Sequence, residues 1–286
     1  DAPFFHYYLK LAKTQAIYNA MGKKWQFFIE EGYLLPAIFL QVLFLSFALI
    51  LLPAIIHRRT KVKNRVEVAK KDFLNLNLSL NVNLFSLSYF AFLGLGFMFV
   101  EVPLIQKMIL SLENPSYAVA IVLTSLLISS GVGSLLSHRV FGLKRIPVPL
   151  VLSILILVYS LVLPSFSKLI SPFSMSLKIP SVFLFLLPLG LLMGVPFPTG
   201  LKRLGKRDPF LIPWAWAING CLSVLAPLLA VMLAMTTGFK VVLWAGSGAY
   251  LLAFVTSFSL PRQSSEQRPR TPSDRGGAPP DVSSQG

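Results

Sequence analysis

The chain has 286 residues, 55% of them hydrophobic and only 13% charged, with a formal net charge of +15. Soluble domains carry about 25% charged residues, and the mean hydropathy here is +0.70, so a water-soluble globule of this length is excluded. The positive charge lies in the gaps between apolar runs, where anionic headgroups and a positive-inside bias account for it better than nucleic acid does.

Residues 1–31 are mixed and aromatic and too polar to span a bilayer. Trp25, Phe27, Phe28 and Tyr33 are expected to form an interfacial belt before the first span. The chain starts at Asp1 and shows no charged segment leading into a short apolar one, so no signal peptide is expected. It reads as a piece of something longer, or as a processed chain.

Beyond this segment the apolar residues come in runs of about 20, the length a helix needs to cross ~30 Å of hydrocarbon. Spans are predicted over 32–57, 84–110, 116–137, 148–170, 180–201, 211–236 and 240–260. The expected fold class is therefore all-α integral membrane: a bundle of about seven transmembrane helices over 32–260, with a basic loop at 58–83. A tail at 261–286, rich in Pro, Ser, Gly and Arg, cannot bury a core and is expected to be disordered. Within the basic loop, Asp72 to Asn83 alternates apolar and polar residues with a strand period, which predicts an extended interfacial segment or a linker biased to Leu and Asn.

Seven spans put eighteen Lys and Arg on one side and eight on the other. By the positive-inside rule the C-terminus is expected on the cytoplasmic side and the N-terminus on the opposite side.

Few residues in the spans could carry chemistry. Glu101 is the single acidic residue well inside one, and an intramembrane carboxylate is a functional-site candidate by default. It could bind a proton or cation, or lock two helices together as a protonated or hydrogen-bonded group. Gly94 and Phe97 share its helix face, and Gly94 would admit a neighbouring helix closely. Pro103 frees the carbonyl of Phe99 and predicts a kink beside Glu101.

Ser130, Gly131, Gly133 and Ser134 form a small-residue surface in the third span. Its usual meaning is tight helix packing, with a ligand surface as the alternative. Pro196 and Pro198, flanked by Gly194 and Gly200, predict a broken stretch at the end of the fifth span. Such a break either lines a binding site or simply ends the helix with a stiff turn. Asn219, beyond Pro213, Trp214 and Trp216, must find a partner inside the sixth span, with the broken segment or Glu101 as the two candidates.

His6, His57 and His138 are far apart, and Cys221 is the single cysteine, so no metal, haem or disulfide is expected. Lys240 sits at the edge of the last span rather than in its middle, where a retinal Schiff base would need it.

The block GLGFMFVEVPLIQKMILSLENPSYAVAIVLTSLLISSGVGSLLS resembles the membrane domain of bacterial membrane-bound spermidine-synthase-like proteins. GVPFPTGLKRL and PWAWAINGCLSVLAPLLA are two further blocks of that pattern. DAPFFHYY resembles the end of the aminopropyltransferase-like domain, and WQFFIEEGYLL the start of the span that follows. The resemblance covers most of residues 1–255, leaving out 72–83 and the tail.

In that family a soluble domain often lies between two sets of spans, and this chain begins where that domain would end. It has no glycine-rich loop or acidic residues to hold decarboxylated S-adenosylmethionine, so aminopropyl transfer is not expected of this chain alone. The resemblance implies a non-catalytic membrane module, an anchor or partner subunit in a larger assembly. Its partners would be the lipid bilayer and other membrane subunits or a soluble aminopropyltransferase-like domain; no cofactor and no nucleic acid are expected. A transporter or channel subunit built on Glu101 and the broken fifth helix, and a peripheral structural subunit of a multi-subunit complex, are the alternatives.

Overall fold

A computed structural model describes residues 36–46, 73–137 and 147–260, with the isolated positions 19 and 48; in the second stretch, side chains are described from Leu84 onward. All regular structure among these residues is helical. A short apolar helix, α1 (Pro36–Ser46), is the described part of the first predicted span. The rest of that span, the N-terminal belt, the 58–71 part of the basic loop and the tail lie outside the described residues.

The remaining helices are α2 (Phe73–Leu112), α3 (Pro115–Leu136), α4 (Val148–Ile170), α5 (Met175–Met193), α6 (Pro196–Arg207), α7 (Ile212–Thr237) and α8 (Phe239–Thr256). Six segments among the described residues are long and apolar enough to cross a membrane: Leu84–Leu112, Pro115–Leu136, Val148–Ile170, Met175–Arg207, Pro209–Thr237 and Phe239–Ser259.

The Leu/Asn alternation is corrected: from Phe73 it is helix, continuous with the span that follows. The segment between Phe73 and Leu93 contains neither Pro nor Gly. Once α2 has formed, adding a residue closes a backbone hydrogen bond at little further cost, and this outweighs the weak preference of Asn for turns.

Three of the described turns between spans are short and chemically marked. Glu113 adopts φ 59 after α2. Asn114 then caps α3, its side-chain oxygen accepting from Ser116 N at 2.9 Å, with Pro115 in the first turn. Gly238, at φ 90, joins α7 to α8, a conformation that costs glycine little. Asp208 accepts from Phe210 N at 3.0 Å and starts the 3₁₀ turn Pro209–Leu211 that leads into α7.

α2 is the central helix; it packs against α3, α7 and α8, while α3 pairs with α5 and α4 with α8. Its inward face, including Phe90, Val100, Leu104 and Met108, is fully buried. Ser153 and Ser247 hydrogen-bond at 2.9 Å between α4 and α8, and the Trp244 indole donates to Ser160 at 3.2 Å.

The α3–α5 contact is made of small residues. Ser125, Ser129 and Gly133 are buried at four-residue spacing on α3, and α5 answers with Gly190 and, at its C-terminal cap, Gly194. A Cβ on Gly133 would collide with the Leu191 carbonyl, one on Gly194 with the Ser130 carbonyl, and one on Gly190 would lie 2.5 Å from the Ser129 Cβ. The two backbones touch because no side chain intervenes.

At the end of the bundle away from α6, Lys178 is 5% exposed and its ammonium meets Glu113 at 3.1 Å. The ion pair ties the start of α5 to the turn after α2. Glu113→Ala is expected to lower unfolding free energy in a detergent titration by about 1 kcal/mol, because an exposed carboxylate contributes little but the amine it leaves is buried. Lys178→Met, which keeps the packing and removes the charge, should be close to neutral in the same assay.

Candidate functional site: a cavity at the break between α5 and α6

The predicted break exists, but it falls one step before the prolines. Gly194 and Val195 interrupt the helix, and Pro196 and Pro198 both lie in the first turn of α6. The two prolines therefore sit inside regular helix rather than in the broken stretch itself. First-turn N–H groups have no intrahelical partner, so proline loses nothing there.

The break is held in place by α2. The Tyr89 hydroxyl donates to the Pro196 carbonyl at 2.8 Å, and Thr199 donates to the carbonyls of Val195 and Pro196 at 2.8 and 2.9 Å. The Tyr89 ring occupies the space a Cβ on Gly200 would need. On the next face, Phe90, Phe197 and Trp216 form an edge-to-face chain with centroid separations of 5.6 and 4.7 Å.

Beside this junction lies a cavity of about 510 Å³. One wall is α2, through Leu93, Gly94, Phe97 and Met98; α3 contributes Leu127, Ser130, Gly131 and Ser134. The α5–α6 junction adds Met193, Gly194, Phe197 and Pro198, and the far side is Asn219 and Ser223 of α7 with Tyr250 of α8. The lining is apolar with a few neutral polar groups and carries no charged side chain.

Asn219 donates from Nδ2 to the Phe90 carbonyl at 3.0 Å. Its partner is therefore the backbone of α2, neither the broken segment nor Glu101. Gly94 makes this possible. A Cβ there would lie 2.5 Å from the Asn219 carbonyl oxygen and 2.9 Å from its side-chain nitrogen. The Phe90 carbonyl sits one helical turn before residue 94, so an absent side chain leaves it open to a second donor.

Of the predicted site residues, Gly94, Asn219, Pro198, Gly131 and Ser134 come together around the cavity. Pro196 stands behind them, its carbonyl receiving Tyr89. Gly133 faces α5 and serves the packing contact. Gly131 does not: it is exposed, with nothing within 4 Å of an added Cβ, so its assignment to helix packing is corrected to a place on the cavity rim. Glu101 is 9% exposed on α2, one turn beyond Phe97, and is not part of the cavity lining.

Sequence reasoning did not single out Tyr89, Met98, Ser223 or Tyr250. Each looks like an ordinary span residue, and no spacing marks it as facing a cavity. Among the described residues no group of three or more His, Cys, Asp and Glu could hold a metal ion.

Fold and cavity together define a class: a multi-pass, all-α membrane protein whose apolar helices contact the lipid bilayer. No protein-family model matches the chain, and neither a curated protein nor a solved structure matches it.

Proposed function

We propose that this chain is a non-catalytic membrane module of a spermidine-synthase-like protein, acting as anchor or partner subunit in a larger assembly of the bacterial inner membrane. On this reading the C-terminus is cytoplasmic and the N-terminus periplasmic. The partner is a soluble aminopropyltransferase-like domain or other membrane subunits. The supporting observation is the character of the cavity: its lining is uncharged, and the one acidic residue well inside a span stays outside it. Such a site suits holding and packing better than turnover of a charged substrate. Reading the coding region upstream of Asp1 tests the proposal. It expects an aminopropyltransferase-like reading frame there; an unrelated one overturns it.

A second reading, a transporter or channel subunit for a small cation or polyamine, draws on the helix break that forms a cavity wall and on Glu101 one turn from Phe97. Glu101→Gln in proteoliposomes separates the two. A transporter loses most of its uptake of labelled spermidine in the variant. An anchor shows no flux in either form, and a peripheral structural subunit shows altered co-purification with its neighbours instead.

A further inference from the structure

The cavity opens sideways, at the depth of the bilayer. Leu127, near the middle of the 22-residue α3, lines it and is 61% exposed. Gly131, one turn on, is also exposed. Across the opening, the exposed Val224 and Gly220 flank Ser223 and Asn219 of α7. A pocket of this size is within the range that holds a small molecule, about 300–1,000 Å³. Leu127 lies midway along a membrane-length helix, a depth at which an opening takes its occupant from the bilayer.

The charge around it is one-sided. α6 starts on the cavity wall with Phe197 and Pro198 and runs away from it as a strongly amphipathic helix. Pro196, Gly200 and Leu204 form its buried face. Lys202 and Lys206 follow Pro198 at four-residue spacing and are exposed, which puts them on the face that continues out of the cavity. Trp216, 57% exposed and packed on Phe197, stands at the same end, as interfacial aromatics do. A groove for an apolar chain thus leads to two free-facing ammonium groups at the headgroup level.

We infer that this groove is a binding site for one anionic phospholipid, an acyl chain lying between α3 and α7 and the phosphate resting on Lys202 and Lys206. Gly131 is the natural place to test it, because a side chain there meets no neighbour and projects from the rim. The full-length chain, delipidated in detergent, is titrated with phosphatidylglycerol or phosphatidylcholine and read by native mass spectrometry.

The unmodified chain should retain one phosphatidylglycerol and prefer it over phosphatidylcholine by about thirtyfold, at roughly 1 kcal/mol for each of the two lysines near the phosphate. Gly131→Phe should abolish retention of both lipids, while circular dichroism and thermal unfolding stay unchanged. Lys202→Gln with Lys206→Gln should keep the lipid and lose the preference. Equal retention of the two lipids by the unmodified chain overturns the inference. So does phosphatidylglycerol binding that survives Gly131→Phe, or a preference that survives the double lysine change. None of these outcomes depends on what the chain anchors.

Discussion

Gly133→Leu is expected to be the most damaging single change in the bundle, lowering unfolding free energy in an SDS titration by about 3 kcal/mol, the upper end for overpacking a tight contact. The Leu191 carbonyl oxygen occupies the position that even a Cβ would take, and a backbone atom cannot swing aside as a side chain can. The only relief is to part α3 from α5. That parting would undo the neighbouring approaches of Gly190 to Ser129 and of Gly194 to the Ser130 carbonyl. Gly131→Leu is the internal control. It lies two residues away on the same helix with open space around it, and should shift stability by less than ~0.5 kcal/mol. Equal effects at the two positions would mean that α3 and α5 are not in backbone contact.

Gly94→Leu is expected to displace α7 from α2 and to cost about 2–3 kcal/mol by the same overpacking argument. The obstacle is again backbone, the Asn219 carbonyl at 2.5 Å, together with the Asn219 amide and Ser223. Asn219→Leu should cost less, about 1 kcal/mol, since it removes a single hydrogen bond between helices in a membrane. The native thiol gives a local readout. Cys221 is a half-buried free cysteine on α7, two residues beyond Asn219. Its rate of maleimide labelling should rise strongly in Gly94→Leu and only slightly in Asn219→Leu. Unchanged labelling in Gly94→Leu would show that α7 does not rest on that glycine.

The chemistry of individual side chains becomes informative only when these contacts are in view. Glu101 is the residue that composition marks most strongly, yet the cavity is built around Gly94 and Asn219 and leaves the carboxylate outside. Lys178, which in sequence looks like one more lysine outside the membrane, is buried and held by Glu113. Both are buried, and charge alone could not reveal either placement, because each depends on which helices pack over the residue.

Much of the architecture was nevertheless legible in the sequence. A run of apolar residues about 20 long must form a helix across a bilayer, because lipid offers its backbone groups no other hydrogen-bond partners. The predicted spans beginning near 116, 148, 211 and 240 match described helices to within a few residues, and the one predicted over 84–110 lies within α2 and ends two residues before it. Gly94, Gly133 and Asn219 could be singled out because a missing or polar side chain is conspicuous against so much Leu, Val and Phe.

Only the tertiary structure decided what each of them does. The period-two pattern at 73–83 belongs to a helix because it runs without a break into the apolar part of the 40-residue α2. Gly131 and Gly133 are indistinguishable as residues, but two positions along a helix are about 200° apart around its axis, so one meets Leu191 and the other meets the opening of the groove. Pairing of helices is set by long-range packing between segments far apart in the chain. That pairing turns a list of small and polar residues into a cavity with a wall, a rim and a charged exit.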